Sequence, residues 1–160
     1  MTMDLELLKA DIQDELRKLE RLCADFVGIE DLLQRPESDV SFYDRAAVGY
    51  YLHSFYNGCE NVFRTIARFF ENEVGQNSWH VDLLKRMKLE IPAVRPAVID
   101  EECFFLLDDF RGFRHKFRHS YTFDLDWERE RLVAGKLQRT FCKFQEQITL
   151  FLETLSELES

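Results

Sequence analysis

Residues 111–119, with the sequence RGFRHKFRH, have the side-chain types and spacing most suited to chemistry. Four bases, Arg111, Arg114, Lys116 and Arg118, lie in this segment, although the whole chain has a formal net charge of −9. Arginine guanidinium groups bind phosphate and carboxylate oxygens through paired hydrogen bonds. The segment therefore predicts a local anion site on an acidic protein, with a solvated basic helix face as the alternative interpretation.

The two histidines of this segment, His115 and His119, are four residues apart, a spacing that could hold a metal ion on one face of a helix. A third ligand is missing, because Lys116 stands where the H-E-x-x-H motif has its glutamate. Lys116 and Arg118 would also repel a divalent ion. We therefore predict no metal site and no other cofactor, and the lack of a glycine-rich phosphate loop excludes the usual nucleotide-dependent enzymes.

A histidine beside arginines fits acid–base chemistry better than metal binding. Cleaving RNA needs a group that removes the proton of a ribose 2′-hydroxyl or protonates the leaving oxygen, and histidine titrates in the appropriate range. The reaction also needs positive charge where the phosphorane gains negative charge, which arginine supplies. His119 and Arg114 are accordingly the candidates for acid–base catalysis and for phosphate stabilisation.

Residues 114–121, with the sequence RHKFRHSY, form an R-x4-H-x-Y pattern that resembles the motif of the HepT-type ribonuclease toxins of the HEPN superfamily. In these toxins an R-x4-6-H motif lies on an all-α bundle, a polar residue usually follows the arginine, and a tyrosine follows the histidine by two positions. The polar residue is His115 here, where this branch often has asparagine. The predicted second helix, YYLHSFYNGCENVFRTIARF, resembles the corresponding helix of these toxins, so the resemblance covers most of the chain.

The resemblance implies a metal-independent endoribonuclease toxin in which Arg114 and His119 carry RNA cleavage. It also implies a homodimer whose active cleft forms between the two protomers, with RNA as the substrate. A cognate minimal nucleotidyltransferase antitoxin is implied as well, which adenylylates Tyr121 with ATP and so silences the toxin. Three further residues would support the active site: His115, Arg111 and Arg118.

Three questions stay open at the level of sequence. The same basic cleft could belong to a helical module without catalytic activity that binds a nucleotide or a protein partner, although the presence of both motif residues favours the enzyme. Tyr121 could instead be a buried tyrosine whose hydroxyl is bonded to the backbone. Arg114 and His119 are about 140° apart around an ideal helix, so a helix end, a wrapped arginine side chain or a second protomer must bring them together.

Apolar residues at spacings of three and four predict four long helices and one short one. The long helices are expected over residues 3–33, over residues 44–74 with Gly75 as the stop, from the N-cap Asp100 into the basic segment, and from Asp124 or Asp126 to the C-terminus. The short helix is expected over residues 78–89, and the two prolines of residues 91–99 make that stretch a connector. We predict an all-α, antiparallel helical bundle, HEPN-like, with residues 1–160 as a single domain.

Composition sets the remaining expectations. Hydrophobic residues make up 46% of the chain and phenylalanine occurs 15 times, which excludes a disordered protein and predicts an aromatic core. The sequence has neither a secretory signal nor an apolar run of the roughly 20 residues that cross a bilayer, so we expect a cytoplasmic protein without membrane contact. Its four cysteines are expected to be buried and inert, His53 and His80 to be isolated structural or surface residues, and only Phe113 and Phe117 to be possible stacking partners for bases.

Overall fold

The computed structural model describes residues 2–71 and 79–160, with side chains for residues 3–71 and 83–160. This part of the chain is all-helical and contains no β-strand, as predicted. Its α-helices are α1 (Thr2–Phe26), α2 (Phe42–Glu71), α3 (Trp79–Met87), α4 (Glu101–Arg118), α5 (Trp127–Ala134) and α6 (Leu137–Glu159). Short 3-10 segments lie in the connections, at Val27–Gln34, Glu37–Asp39 and Thr122–Asp124.

The helix boundaries differ from the prediction at two places. The first helix changes to 3-10 geometry at Val27, so it is shorter than expected. The predicted fourth helix is divided into α5 and α6 by a turn at Gly135, whose backbone N–H closes α5 onto the carbonyls of Arg131 and Val133. The described chain therefore has two short helices rather than one. The end predicted for α2 at Gly75 lies outside the described residues.

The long helices pack in a ring, in which α1 contacts α2 and α6, and α4 contacts α2 and α6. Neighbours in this ring run antiparallel. Phe26 of α1 lies beside Tyr51 of α2, with ring centroids 5.4 Å apart, whereas the earlier residue Leu19 lies against the later residue Gly58. This arrangement places the middle of α4 directly against the middle of α2.

The core between these helices is largely aromatic. Phe55 of α2 packs against Phe110 of α4 and Phe141 of α6, and Phe63 packs against Phe144. Burying such rings is a dominant favourable contribution to folding. These phenylalanines are thus core residues, as predicted, whereas Phe105 of α4 is 62% exposed.

The cysteines only partly match the expectation. Cys23, Cys59 and Cys103 are buried, and burial raises the pKa of the Cys23 and Cys103 thiols to about 12, so they stay protonated at neutral pH. Cys142 is exposed on α6, which corrects the prediction that all four are buried.

The outer faces of the helices are polar. Surface ion pairs one turn apart, such as Lys18 with Asp14, line α1 on the side away from the core. None of the described helices combines the length and the apolar character needed to cross a membrane.

Candidate active site

The basic segment lies in the second half of α4, and both ends of this helix are fixed by local hydrogen bonds. At the start, the Asp100 carboxylate accepts a hydrogen bond of 2.9 Å from the Cys103 backbone N–H, which confirms the predicted N-cap. At the other end, α4 stops at Arg118, and the backbone N–H of His119 donates to the Lys116 carbonyl at 3.1 Å. His119 is therefore the first residue beyond the helix.

Arg114 points into the bundle and contacts three residues of α2. Its guanidinium donates to both carboxylate oxygens of Glu60, at 2.8 and 2.9 Å, and to Oδ1 of Asn57 at 2.8 Å. It also lies over the ring of Tyr56, 4.6 Å from the centroid. Arg114 is 5% exposed and Glu60 2% exposed. The arginine of the motif is thus held in a buried, bidentate ion pair that fixes its orientation.

His53, expected to be isolated, lies beside this ion pair. Its Nε2 is 3.1 Å from Nδ2 of Asn57, the residue whose Oδ1 binds Arg114. Burial lowers the pKa of His53, and the charges of Arg114 and Arg118 lower it further. The interpretation of His53 as isolated is therefore wrong. The side chain of His80 lies outside the described residues.

His53, Asn57 and Glu60 were not identified from the sequence as part of the site, although their spacing could have indicated it. His53, Asn57 and Glu60 are spaced i, i+4 and i+7, so they form a polar stripe along one side of α2. The stripe borders an apolar face, and Glu60 itself is buried. A carboxylate at such a position needs a cation from another element, because an unpaired buried charge is strongly unfavourable.

Phe117 packs against α2 rather than facing solvent. A side chain at Gly49 would bring its Cβ to 2.5 Å from the Phe117 ring, so the glycine is what allows this close approach. Phe117 also stacks on Phe113, with centroids 5.7 Å apart, and Phe113 is buried. Both rings are therefore used in packing α4 onto α2, which corrects the idea that they could stack on bases.

His119 and His115 are exposed at the end of α4, with their rings edge to face and 5.0 Å between centroids. Arg114 points inward, and in the part of the chain that the structure describes its hydrogen bonds and ring contact are with α2 rather than with His119. The helix ends before His119, which is the first of the three arrangements that the sequence left open. Within one described protomer, the two motif side chains nevertheless form no hydrogen bond with each other.

The segment is less cationic than its sequence suggests. Arg111 is paired with Asp108 at 2.7 Å, and Arg114 is neutralised by Glu60. Lys116 and Arg118 are exposed and have no ion-pair partner among the described residues. Two of the four bases, Lys116 and Arg118, are therefore uncompensated within the described structure.

Tyr121 follows the site at the surface. It is 71% exposed and stacks in parallel on Phe123, with ring centroids 5.3 Å apart. The alternative that Tyr121 is buried is therefore wrong. Asp126 nearby is the N-cap of α5, so a helix begins at one of the two positions predicted for it.

Comparison with models of known protein families gives a match to the HepT-like protein over residues 47–155, more than half of the 160-residue chain. The chain belongs to the HepT-like family. Proteins of this family are HEPN-superfamily toxins that typically act in toxin–antitoxin pairs. The matched residues of this HepT-like chain include all of α4 and the part of α2 that holds Arg114. No curated protein matches the chain.

Proposed function

We propose that this HepT-like protein is a toxin that cleaves RNA endonucleolytically without a metal ion. The observation that carries the proposal is the R-x4-H motif of a HepT-like chain, with its arginine oriented by Glu60 and its histidine exposed at the end of α4. The catalytic residues would be Arg114 and His119. RNA digestion in the presence of EDTA tests this function.

The chemistry would be an attack by the ribose 2′-hydroxyl on the adjacent phosphorus. The 2′-oxygen forms a bond to phosphorus as the bond to the 5′-oxygen breaks, which leaves a 2′,3′-cyclic phosphate and a free 5′-hydroxyl. His119 would act as the acid or base in this proton transfer. Exposure of its ring at the surface is consistent with access to a ribose.

Arg114 would stabilise the phosphorane while remaining anchored to α2. Its three hydrogen bonds to Asn57 and Glu60 use three of the five guanidinium N–H groups. The other two donors would serve a phosphate oxygen. Lys116 and Arg118, which have no ion-pair partner in the described structure, would bind flanking phosphates, and Arg118 and His115 would support the site next to His119.

We further propose that the active cleft forms between the protomers of a homodimer. Within one described protomer, Arg114 and His119 face different directions, and a two-fold axis would set one protomer's motif opposite its partner's. Each protomer would contribute two uncompensated bases, Lys116 and Arg118. Arg111, already paired with Asp108 on the same helix, would contribute less free positive charge to this cleft.

Mixed dimers test whether the site is shared. One protomer would carry the double substitution Glu60→Leu with Arg114→Leu, and the other would carry His119→Ala. We expect each variant to be inactive as a homodimer. After co-expression and purification, the mixed dimer should recover about half of the wild-type activity, because one of its two shared sites is then intact. No recovery in a purified mixed dimer would contradict a shared site, and a fully active monomer would contradict the dimer altogether.

The silencing partner would be a minimal nucleotidyltransferase antitoxin that transfers AMP from ATP to Tyr121. The Tyr121 hydroxyl oxygen would attack the α-phosphorus of ATP, the bond to pyrophosphate would break, and the hydroxyl proton would be released. An exposed tyrosine close to His119 supports this role, since an attached nucleotide would add negative charge beside the uncompensated bases. Such a toxin and its antitoxin would act in the cytoplasm.

Mass spectrometry tests the modification. After incubation with the cognate minimal nucleotidyltransferase and ATP, the intact mass of the wild type should rise by whole AMP units. Tyr121→Phe should abolish the gain, whereas Tyr43→Phe, at a tyrosine that is 89% exposed elsewhere on the surface, should not. An unchanged wild-type mass, or a gain that persists in Tyr121→Phe, would contradict the assignment.

One observation favours a second candidate, a helical module without catalytic activity that binds a nucleotide or a protein partner. Arg114 is buried in an ion pair, a structural role that such a module would also need. The two candidates differ in RNA cleavage. A module would bind its ligand through Lys116 and Arg118 and leave RNA intact.

A further inference from the structure

A series of side-chain contacts connects α2 to Arg114, the arginine of the motif. His53, Asn57 and Arg114 are joined in series, through contacts of 3.1 Å from His53 to Asn57 and 2.8 Å from Asn57 to Arg114. None of these contacts involves His119. These contacts therefore reach Arg114 from the partly buried side of α2 and not from the exposed end of α4.

The donors and acceptors in this series of contacts can be assigned from chemistry alone. The Arg114 guanidinium has only donors, so Asn57 must turn its carbonyl oxygen towards it. The amide nitrogen of Asn57 then faces His53 and donates, which requires Nε2 of His53 to be an unprotonated acceptor. A neutral His53 must consequently carry its proton on Nδ1, an atom that is buried and has no hydrogen-bond partner. A protonated imidazole has no acceptor, and it would break this arrangement.

We propose that His53 is a positioning residue for Arg114: its unprotonated Nε2 fixes the amide of Asn57, which in turn holds the guanidinium in the orientation that RNA cleavage requires. The importance of this role for catalysis rests on the proposed ribonuclease function. The assignment of donors and acceptors is independent of that function.

The surroundings of His53 keep it neutral. The charged groups that face it are Arg114 and Arg118 of α4, and its other neighbours are the rings of Tyr50 and Phe117, with centroids 6.2 and 5.9 Å away. Burial first, and then the two arginines, lower the pKa of His53 below its ordinary value of 6.5. The unfolded chain therefore takes up this proton first as the pH falls, so this contribution to stability is complete above pH 6.5 and is lost below it.

Nitrogen NMR on the full-length protein tests the assignment without any assay of activity. At neutral pH we expect the 15N shifts of His53 to show a protonated Nδ1 and an unprotonated Nε2. We expect the Arg114 guanidinium signals to change with pH as His53 titrates, and to become independent of that titration in His53→Gln. A protonated Nε2 at neutral pH, or Arg114 signals that do not respond to His53, would overturn the proposal.

Kinetics test the consequence for catalysis. His53→Gln keeps an acceptor near the position of Nε2 but cannot titrate, whereas His53→Leu has no acceptor. We expect His53→Leu to lower kcat about tenfold with little change in KM, because the arginine is less well oriented. His53→Gln should restore kcat to within about twofold at neutral pH and should flatten the acid side of the pH profile.

A matched control separates positioning from general damage to α2. Asn61 lies one turn after Asn57 and accepts from Arg64 rather than Arg114, so Asn61→Leu should leave the pH profile unchanged. The proposal is overturned if His53→Gln loses as much kcat as His53→Leu, or if Asn61→Leu changes the profile in the same way. If the wild type cleaves no RNA, the ribonuclease function fails, and the NMR experiment alone decides the assignment.

Discussion

Replacing Glu60 with leucine should destabilise the protein by about 3–5 kcal/mol, the usual cost of removing one partner of a buried ion pair. Glu60 is 2% exposed and provides both acceptors of the bidentate pair with Arg114. Its loss leaves the Arg114 charge inside the bundle with the Asn57 carbonyl oxygen and the Tyr56 ring, and it also removes a partner of Arg64 at 3.5 Å. Because whole domains are stable by only about 5–15 kcal/mol, urea unfolding at a fixed protein concentration should show the change clearly.

Two variants control this experiment. Glu102→Leu removes an exposed carboxylate that pairs with Lys143, and it should cost no more than about 1 kcal/mol. The double variant Glu60→Leu with Arg114→Leu removes both charges of the buried pair, and it should recover part of the lost stability, since an apolar pair can replace a buried ion pair. The contact between Glu60 and Arg64 stays lost in this variant. The importance of the pair would be contradicted if Glu60→Leu and Glu102→Leu had equal effects.

Replacing His119 with alanine should lower kcat for RNA cleavage about 10²- to 10⁴-fold, the range that general acid–base catalysis contributes. His119 is exposed beyond the end of α4 and has no hydrogen-bond partner for its ring among the described residues, so the substitution should leave stability nearly unchanged. Arg139→Ala, which removes an exposed base from α6, is the matched control and should keep wild-type kcat. Full activity in a folded His119→Ala variant would contradict its role.

Arg114 needs a different design, because a simple truncation would also leave Glu60 unpaired. In the folded double variant Glu60→Leu with Arg114→Leu, kcat should still fall about 10²- to 10³-fold, as expected for the loss of electrostatic stabilisation of the phosphorane. Because the double variant leaves no unpaired Glu60, its loss of activity is not caused by an unpaired buried charge. An active double variant would show that Arg114 has only a structural role.

The sequence predicted the elements of the fold well, because each is determined by local signals. The N-cap at Asp100 and the apolar periodicity of α1, α2 and α6 depend on residues within a few positions of each other. The same periodicity led to the wrong prediction of one continuous helix across Gly135, because the apolar spacing continues there although the helix breaks. The presence of a helix is thus easier to predict than the positions at which it is interrupted.

The motif was recognisable from sequence, but its electrostatic state was not. Counting charges along residues 111–119 treats Arg114 as available, whereas its partner Glu60 lies 54 positions earlier. The same holds for His53, whose link to Arg114 passes through Asn57 on another turn of α2. Such pairings arise only when α4 packs against α2, and spacing along one helix cannot reveal them.

The most direct test is digestion of one RNA in EDTA, beside the same RNA with a 2′-deoxynucleotide at the position that is cut. The account predicts that the wild type cleaves the first RNA, leaving a 2′,3′-cyclic phosphate and a 5′-hydroxyl, and leaves the substituted position intact. His119→Ala should cleave neither RNA. Cleavage that requires a divalent metal, or that proceeds at the 2′-deoxy position, would contradict the proposed mechanism, and intact RNA that the wild type nevertheless binds would favour the non-catalytic module.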